Sequence, residues 1–368
     1  MIPVNAPVIT AESKQLVGRA LDEGWISSAG PYVEQFEREF AQYLGVKHSI
    51  LVNTGTAALH VALLASGIGA GDEVIVPAFT MASSYLAVMY TGATPVFVDV
   101  EPDIFTIDPK LIESAITPKT KAIMPVHIYG HPADLDPIMA IAKKHHLVVI
   151  EDAAEAHGAT YRGVKVGSLG DINAFSFYAN KIVTTGEGGM VTTNDDHLAE
   201  LSRRYRDLCH SPKKRFIHDE VGYNYRATSL QAALGIGSLH AITDSLRQKT
   251  HMAELYEQGL SGIPGLTLPT TRGWATNVYW MYAILLDPTL FGMSKDELRA
   301  QLLGRGVDTR DFFYAPADQP ILHSKKHFPI TEDIATNGLY LPSGLSLTDQ
   351  QINAVCRTIS QIAAAKPL

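Results

Sequence analysis

The stretch DINAFSFYANKIVTTGEGGMVTT, Asp171 to Thr193, decides how the chain is read. An alternating run, AFSFYA, leads into a single lysine, Lys181. A glycine-rich turn, TTGEGG, follows, and a second strand-like run, MVTT, closes the stretch. A lysine between a strand and a tight turn can be held rigidly at the floor of a cleft. Such a position suits Schiff-base chemistry, because the amine must be partly desolvated to act as a nucleophile near neutral pH. A surface lysine on a hairpin has the same local pattern, so the neighbouring segments have to choose between the two.

From His48 to Asn194 the pattern alternates. Apolar, β-rich runs at 50–52, 73–79, 94–100, 121–128 and 147–153 are separated by helical stretches such as TAALHVALLAS and DLDPIMAIAKKHH. Continuous apolar strands alternating with helices predict an α/β fold, a mostly parallel sheet covered by helices on both faces. Ligands of such sheets bind beyond the carboxyl ends of the strands. The polar residues at those ends are Asn53-Thr54-Gly55-Thr56, Thr80, His127 and Glu151-Asp152. The first strand is not followed by G-x-G-x-x-G, which sets aside a nicotinamide-dependent dehydrogenase.

Gly55-Thr56 follows a short strand and opens a helix, whose first amides point outward with the positive end of the helix dipole behind them. Glycine admits a ligand close to the backbone and Thr56 adds a hydroxyl, so the turn can seat a phosphate or act simply as a threonine cap. Asp152 ends the strand VVIED, where a buried carboxylate calls for a cationic partner. The protonated ring nitrogen of pyridoxal phosphate is one such partner, and the pair would strengthen the ring as an electron sink. Metal binding by Asp152 with Glu155 and His157 competes. It is disfavoured because Glu151 and Asp152 point opposite ways on a strand, and no metal site is expected. Asp152 precedes Lys181 by 29 residues (181 − 152). Gly55-Thr56, Asp152, Ser176 and Lys181 thus place a phosphate seat, a ring-nitrogen partner, a second phosphate hydroxyl and an amine on one sheet edge.

The 368 residues are enough for one large domain and a smaller one, expected at 1–242 and 243–368. The second reads as a smaller C-terminal α+β domain, with a strand at 277–286, helices opened by capping boxes at Ser294 and Thr348, and a strand about 307–312. Hydrophobic content is 46% and charged content 18%, and no apolar run is long enough to span a bilayer. The N-terminus has no basic region followed by an apolar core, and Cys209 and Cys356 form no disulfide framework, so a cytoplasmic location is expected. A net charge of −8 argues against nucleic acid as a partner.

With these residues in view, the chain resembles the DegT/DnrJ/EryC1/StrS family of sugar aminotransferases, which have the fold type I architecture of pyridoxal-phosphate enzymes. The resemblance rests on WISSAGPYVEQFE, NTGTAALHVAL, GDEVIVPAFT, GATPVFVDV, TPKTKAIMPVHIYG, IEDAAEAHGA, FSFYANKIVTTGEGGMVTTND and VGYNYRATSLQAALG, which cover most of residues 25–236. The form FSF-x-x-NK-I-x-TTGEGGM is similar to the branch that aminates C4 of a GDP-linked 4-keto-6-deoxymannose. The resemblance implies that Lys181 bonds to the cofactor, Asp152 pairs with the pyridine nitrogen, and Gly55, Thr56 and Ser176 hold the phosphate. It places Glu155 near the ring hydroxyl and Asn224 at the cofactor phosphate of a neighbouring subunit, hence a homodimer with shared active sites. Arg226 would help to hold the carboxylate of L-glutamate, the amino donor.

Two departures stand out. Met81 replaces the aromatic residue that often stacks on the cofactor, and thioether packing would take its place. Ala317, in FFYAPADQP, stands where a histidine would be aligned, in a part that often faces the sugar. A UDP- or dTDP-linked sugar, amination at C3, and a cofactor-binding regulator without turnover therefore stay open. A dehydratase relative would carry histidine in place of Lys181. The densest basic run, Lys213, Lys214 and Arg215, is a candidate for the nucleotide diphosphate or a solvated loop. Trp25, Tyr178 and His127 are candidates for the sugar pocket, and Arg310 for either substrate, though packing accounts for each as well.

Overall fold

Seven short apolar runs become the strands of one sheet: β1 His48–Val52, β2 Glu73–Pro77, β3 Thr94–Val98, β4 Thr120–Ile123, β5 Val148–Asp152, β6 Ile172–Ser176 and β7 Gly189–Thr193. The computed structural model describes residues 1–211 and 213–365. The strand order is β1-β7-β6-β5-β4-β2-β3. Six strands run parallel, and β7 alone runs antiparallel, between β1 and β6. Strand alternation sorts the apolar residues. Ile50, Val52, Val74 and Val76 pack under the helices Gly55–Ala65 and Ala82–Tyr90. Ile75 and Val149 face the helix Leu135–His145, while Leu51 and Phe175 meet Phe36 and Phe40 of the helix Pro31–Leu44. The strands are buried on both faces, which is why they read as unbroken apolar runs.

The expected run 121–128 stops as a strand at Ile123. Pro125 has no amide to donate, and Tyr129 and Gly130 take φ of 52° and 103°, turning the chain away from the sheet. The expected strand 277–286 begins only at Tyr282, after a left-handed Tyr279. Of the expected strand near 307–312, only Arg310–Asp311 joins the smaller sheet. That sheet is antiparallel and adds Leu266–Thr267, Tyr282–Leu286 and Gly338–Leu341; the helices Ile242–Leu260, Lys295–Gly304 and Asp349–Ala364 pack on it. The capping boxes Ser294/Glu297 and Thr348/Gln351 both form. The first residues of the chain pair with this C-terminal part, Ile2 bridging Val307 and Val4 accepting from the Ser343 amide at 2.8 Å.

One buried histidine gives the fold a pH signature. His131 donates from Nδ1 to the Pro132 carbonyl at 2.7 Å and accepts at Nε2 from the Arg272 amide at 3.1 Å, which fixes the neutral ring. Burial pushes its pKa from 6.5 down to about 4; the Arg272 charge adds to this, while the Pro132 bond and Asp103 oppose it. The unfolded chain therefore takes up this proton near 6.5 and the folded chain only near 4, so stability falls as pH drops through that window. Melting temperature measured from about pH 7 to about pH 5 should decline, and His131→Gln, which keeps an acceptor for Arg272, should flatten the slope. An unchanged slope in that variant would exclude His131 as the cause.

Candidate active site

A cavity of about 470 Å³ opens at the carboxyl ends of the parallel strands. Its floor is the loop that follows β6. That loop is stitched to itself by Phe177 N–H to the Gly188 carbonyl and Thr185 N–H to the Phe177 carbonyl, both at 2.9 Å. Lys181 sits on it with its side chain 9% exposed. Its Nζ lies 3.6 Å from Oε1 of Glu155 and 3.5 Å from the ring centroid of Trp280. Burial pushes the amine pKa below its ordinary value, only partly offset by Glu155 and Asp152. Glu155 is itself aimed by the Tyr129 amide, which donates to Oε2 at 2.8 Å; burial raises its carboxyl, with Lys181 acting in opposition.

Asp152, the last residue of β5, is 4% exposed. It accepts from the Ser84 hydroxyl at 2.7 Å and from the Ala154 amide at 3.1 Å. Burial raises its carboxyl; the Ser84 and Ala154 bonds and the nearby Lys181 work against that. Beside it, Thr54 caps the helix Gly55–Ala65, its Oγ1 accepting from Ala57 at 3.0 Å. Thr56 donates to the Ser83 hydroxyl at 3.1 Å, and Ser176 lies against Gly55. A Cβ on Gly55 would come within 2.6 Å of the Ser176 Cβ, so the small cradle between them exists only because residue 55 is glycine. If the cradle seats the phosphate that the resemblance implies, Gly55→Ala should weaken pyridoxal phosphate binding about tenfold or more in a fluorescence titration of the apoprotein; wild-type affinity would show that the cradle holds nothing.

The far wall comes from the C-terminal part: Trp280, Phe313 and Tyr340. The Trp280 indole donates to the Asn180 carbonyl at 2.9 Å, which ties that wall to the residue before Lys181. None of the three aromatics was foreseen in the sequence. Ser83 and Ser84 were also missed, although the reasoning used for Gly55-Thr56, a helix start just past a strand end, applies equally to them.

Gly55, Thr56, Met81, Asp152, Glu155, Ser176, Tyr178 and Lys181 all line the cavity; Met81 and Tyr178 are about half exposed. Other expected residues lie elsewhere. His127 is fully buried outside the lining: Nε2 meets Glu151 Oε2 at 2.8 Å and Nδ1 accepts from the Ala133 amide at 3.0 Å. Both ring nitrogens are consumed by the fold, so it has no face to offer a sugar. Trp25 packs over Gly30. Arg226 pairs with Asp207 beside the end of β1, and Asn224 is exposed next to it. Arg310 is 55% exposed on the small sheet, 3.4 Å from Asp308. Lys213 and Lys214 are exposed on a hairpin formed by His210–Ser211 and Lys214–His218. The Arg215 side chain lies outside the described residues. Among the described lining residues, Lys181 is the one cation.

Known proteins resemble this chain in sequence and in fold. A GDP-perosamine synthase of Caulobacter vibrioides is 44% identical over 364 residues, 98% of each chain. A dTDP-3-amino-3,4,6-trideoxy-alpha-D-glucose transaminase of Streptomyces venezuelae is 40% identical, covering 96% of this chain and 93% of its own. The crystal structure of S. venezuelae DesV, in complex with a ketimine intermediate, superposes with a TM-score of 0.91 at 38% identity, covering 97% of this chain and 95% of that one. The family model for DegT/DnrJ/EryC1/StrS aminotransferases matches residues 7–360, and the protein belongs to that family.

Proposed function

We propose that the cavity binds pyridoxal 5′-phosphate and that the protein transfers an amino group from L-glutamate to C4 of a nucleotide-linked 4-keto deoxy sugar, as a GDP-perosamine synthase does. The observation that carries the reading is the convergence of a buried amine, a buried carboxylate and a glycine-made cradle on one cavity. The groups fit the cofactor. Gly55, Thr56 and Ser176 would hold its phosphate, Asp152 its ring nitrogen, Glu155 its ring hydroxyl, and Met81 and Trp280 would flank the ring. Bound there, pyridoxal phosphate supplies the electron sink and carries the amino group between the two substrates.

The protein's own residues do the rest. Burial lowers the pKa of the Lys181 amine, and that nitrogen would hold and move the proton between substrate and cofactor carbons. Glu155 keeps the amine in place from 3.6 Å. The aromatic wall of Trp280, Phe313 and Tyr340 excludes water from the reacting face.

Both proposed substrates are anionic, yet the lining offers Lys181 as its sole cation among the described residues. A homodimer accounts for this: a neighbouring copy would bring the segment carrying Lys213, Lys214, Arg215, Asn224 and Arg226 to the mouth of the site. The relatives' names include both GDP- and dTDP-sugars, and the GDP sugar is favoured by the higher identity.

An absorbance spectrum of the purified protein, before and after L-glutamate, tests the reading. A yellow band that bleaches with glutamate and returns on adding a GDP-linked 4-keto-6-deoxy sugar is expected. A protein that stays colourless with added pyridoxal phosphate would overturn it.

A further inference from the structure

Two hydroxyls behind Asp152 form a directed chain. Ser84 has one hydroxyl proton and gives it to Oδ2 of Asp152 at 2.7 Å. Its oxygen can then only accept from Thr80, whose Oγ1 lies 2.8 Å away. Ser84 is 0% and Thr80 3% exposed, so both bonds are buried. Both residues sit where the chain leaves β2 and enters the helix Ala82–Tyr90. Ser84 stands in the first turn of that helix, and its hydroxyl turns to Asp152.

We propose that Ser84, held by Thr80, is a positioning residue that keeps the Asp152 carboxylate charged and aimed at the cofactor ring nitrogen. The inference rests on the reading of the cavity as a pyridoxal-phosphate site. The physical need for such a donor is plain. A buried carboxylate is driven toward its neutral acid form, and a neutral acid cannot pair with a protonated ring. Burial, the largest influence on Asp152, acts in that direction. Lys181 on the adjoining loop favours the ion, as does the Ala154 amide. The Lys181 amine is engaged by the cofactor in the reading above. Once it is, Ser84 is the nearest hydroxyl donor that still holds the charge.

The test compares Ser84→Ala, Ser84→Thr, Thr80→Val and Asp152→Asn in the full-length protein. The readouts are the dissociation constant of pyridoxal phosphate for the apoprotein, the pH dependence of the loaded protein's absorbance, and kcat against KM for glutamate. Ser84→Ala is expected to bind the cofactor about tenfold more weakly and to shift the absorbance profile along the pH axis. It should also lower kcat about tenfold or more with little change in KM. Ser84→Thr, which keeps the hydroxyl, should restore all three. Thr80→Val, which removes only the outer donor, should show the same changes at smaller size, and it decides alone if Ser84→Ala does not fold. Wild-type spectra and affinity in Ser84→Ala and Thr80→Val, alongside a clear change in Asp152→Asn, would overturn the role of Ser84 and leave the site reading intact. Wild-type behaviour in Asp152→Asn would overturn the site reading itself.

Discussion

Lys181→Ala is expected to abolish turnover, with a loss of about 10⁴-fold or more in kcat. In the proposed reaction the position would do two things that alanine cannot: present an amine that can bond to a carbonyl carbon, and move a proton within the site. No other described residue of the lining carries an amine. The fold should survive the change. The Lys181 side chain is 9% exposed and its carboxylate neighbour Glu155 stands 3.6 Å away, so the pair costs desolvation as well as gaining attraction. In the variant, Glu155 loses the cation that held its carboxyl down and should become protonated more readily. A melting temperature close to the parent's, together with loss of the yellow band, would separate a chemical role from a structural one. Appreciable aminotransferase activity in Lys181→Ala would sink the assignment.

Glu151→Ala is expected to cost about 3–5 kcal/mol of stability. Glu151 is fully buried on the face of β5 opposite Asp152 and gathers four donors. His127 Nε2 and the Gly167 amide reach Oε2, both at 2.8 Å; the Leu169 and Gly170 amides reach Oε1 at 2.7 and 2.6 Å. Alanine leaves all four buried without an acceptor, and each unmet donor carries its own desolvation penalty. Glu151→Gln, which keeps one good acceptor oxygen, should lose less. Burial alone would raise this carboxyl, but the His127 bond and the glycine amides outweigh it and hold the pKa below 4.5. The sign follows: this stabilisation is present above about pH 4.5 and is lost as pH falls through the folded value. Thermal melts of both variants at neutral pH check the first point, and an acid titration of the parent checks the second. A melting temperature within a degree or so of the parent's in Glu151→Ala would show that the four bonds are not made in solution.

The sequence alone determined the parts of this protein whose physics is local. Strand runs apolar on both faces and helices between them dictate a helix-covered parallel sheet. In such a sheet every strand points its carboxyl end at one edge, so Gly55-Thr56, Asp152 and Lys181 could be placed together without knowing the packing. The same argument took in Ser176, and the resemblance added Glu155 and Met81; all three line the cavity.

Tertiary structure alone decided what depends on partners distant in the chain. His127 and Glu151 each look like site residues at a strand end, and nothing local tells that they face each other across two strands and neutralise each other's function. Trp280, Phe313 and Tyr340 enter the site from more than a hundred residues beyond Asp152, brought there by the smaller sheet and not by any pattern of their own. Arg226 and Arg310 have the same charge wherever they lie, and only the fold pairs them with Asp207 and Asp308. Periodicity records which side of a strand or helix is buried. It does not record which buried group meets which, because that is fixed by the side-chain geometry of two surfaces that come together only when the chain has folded.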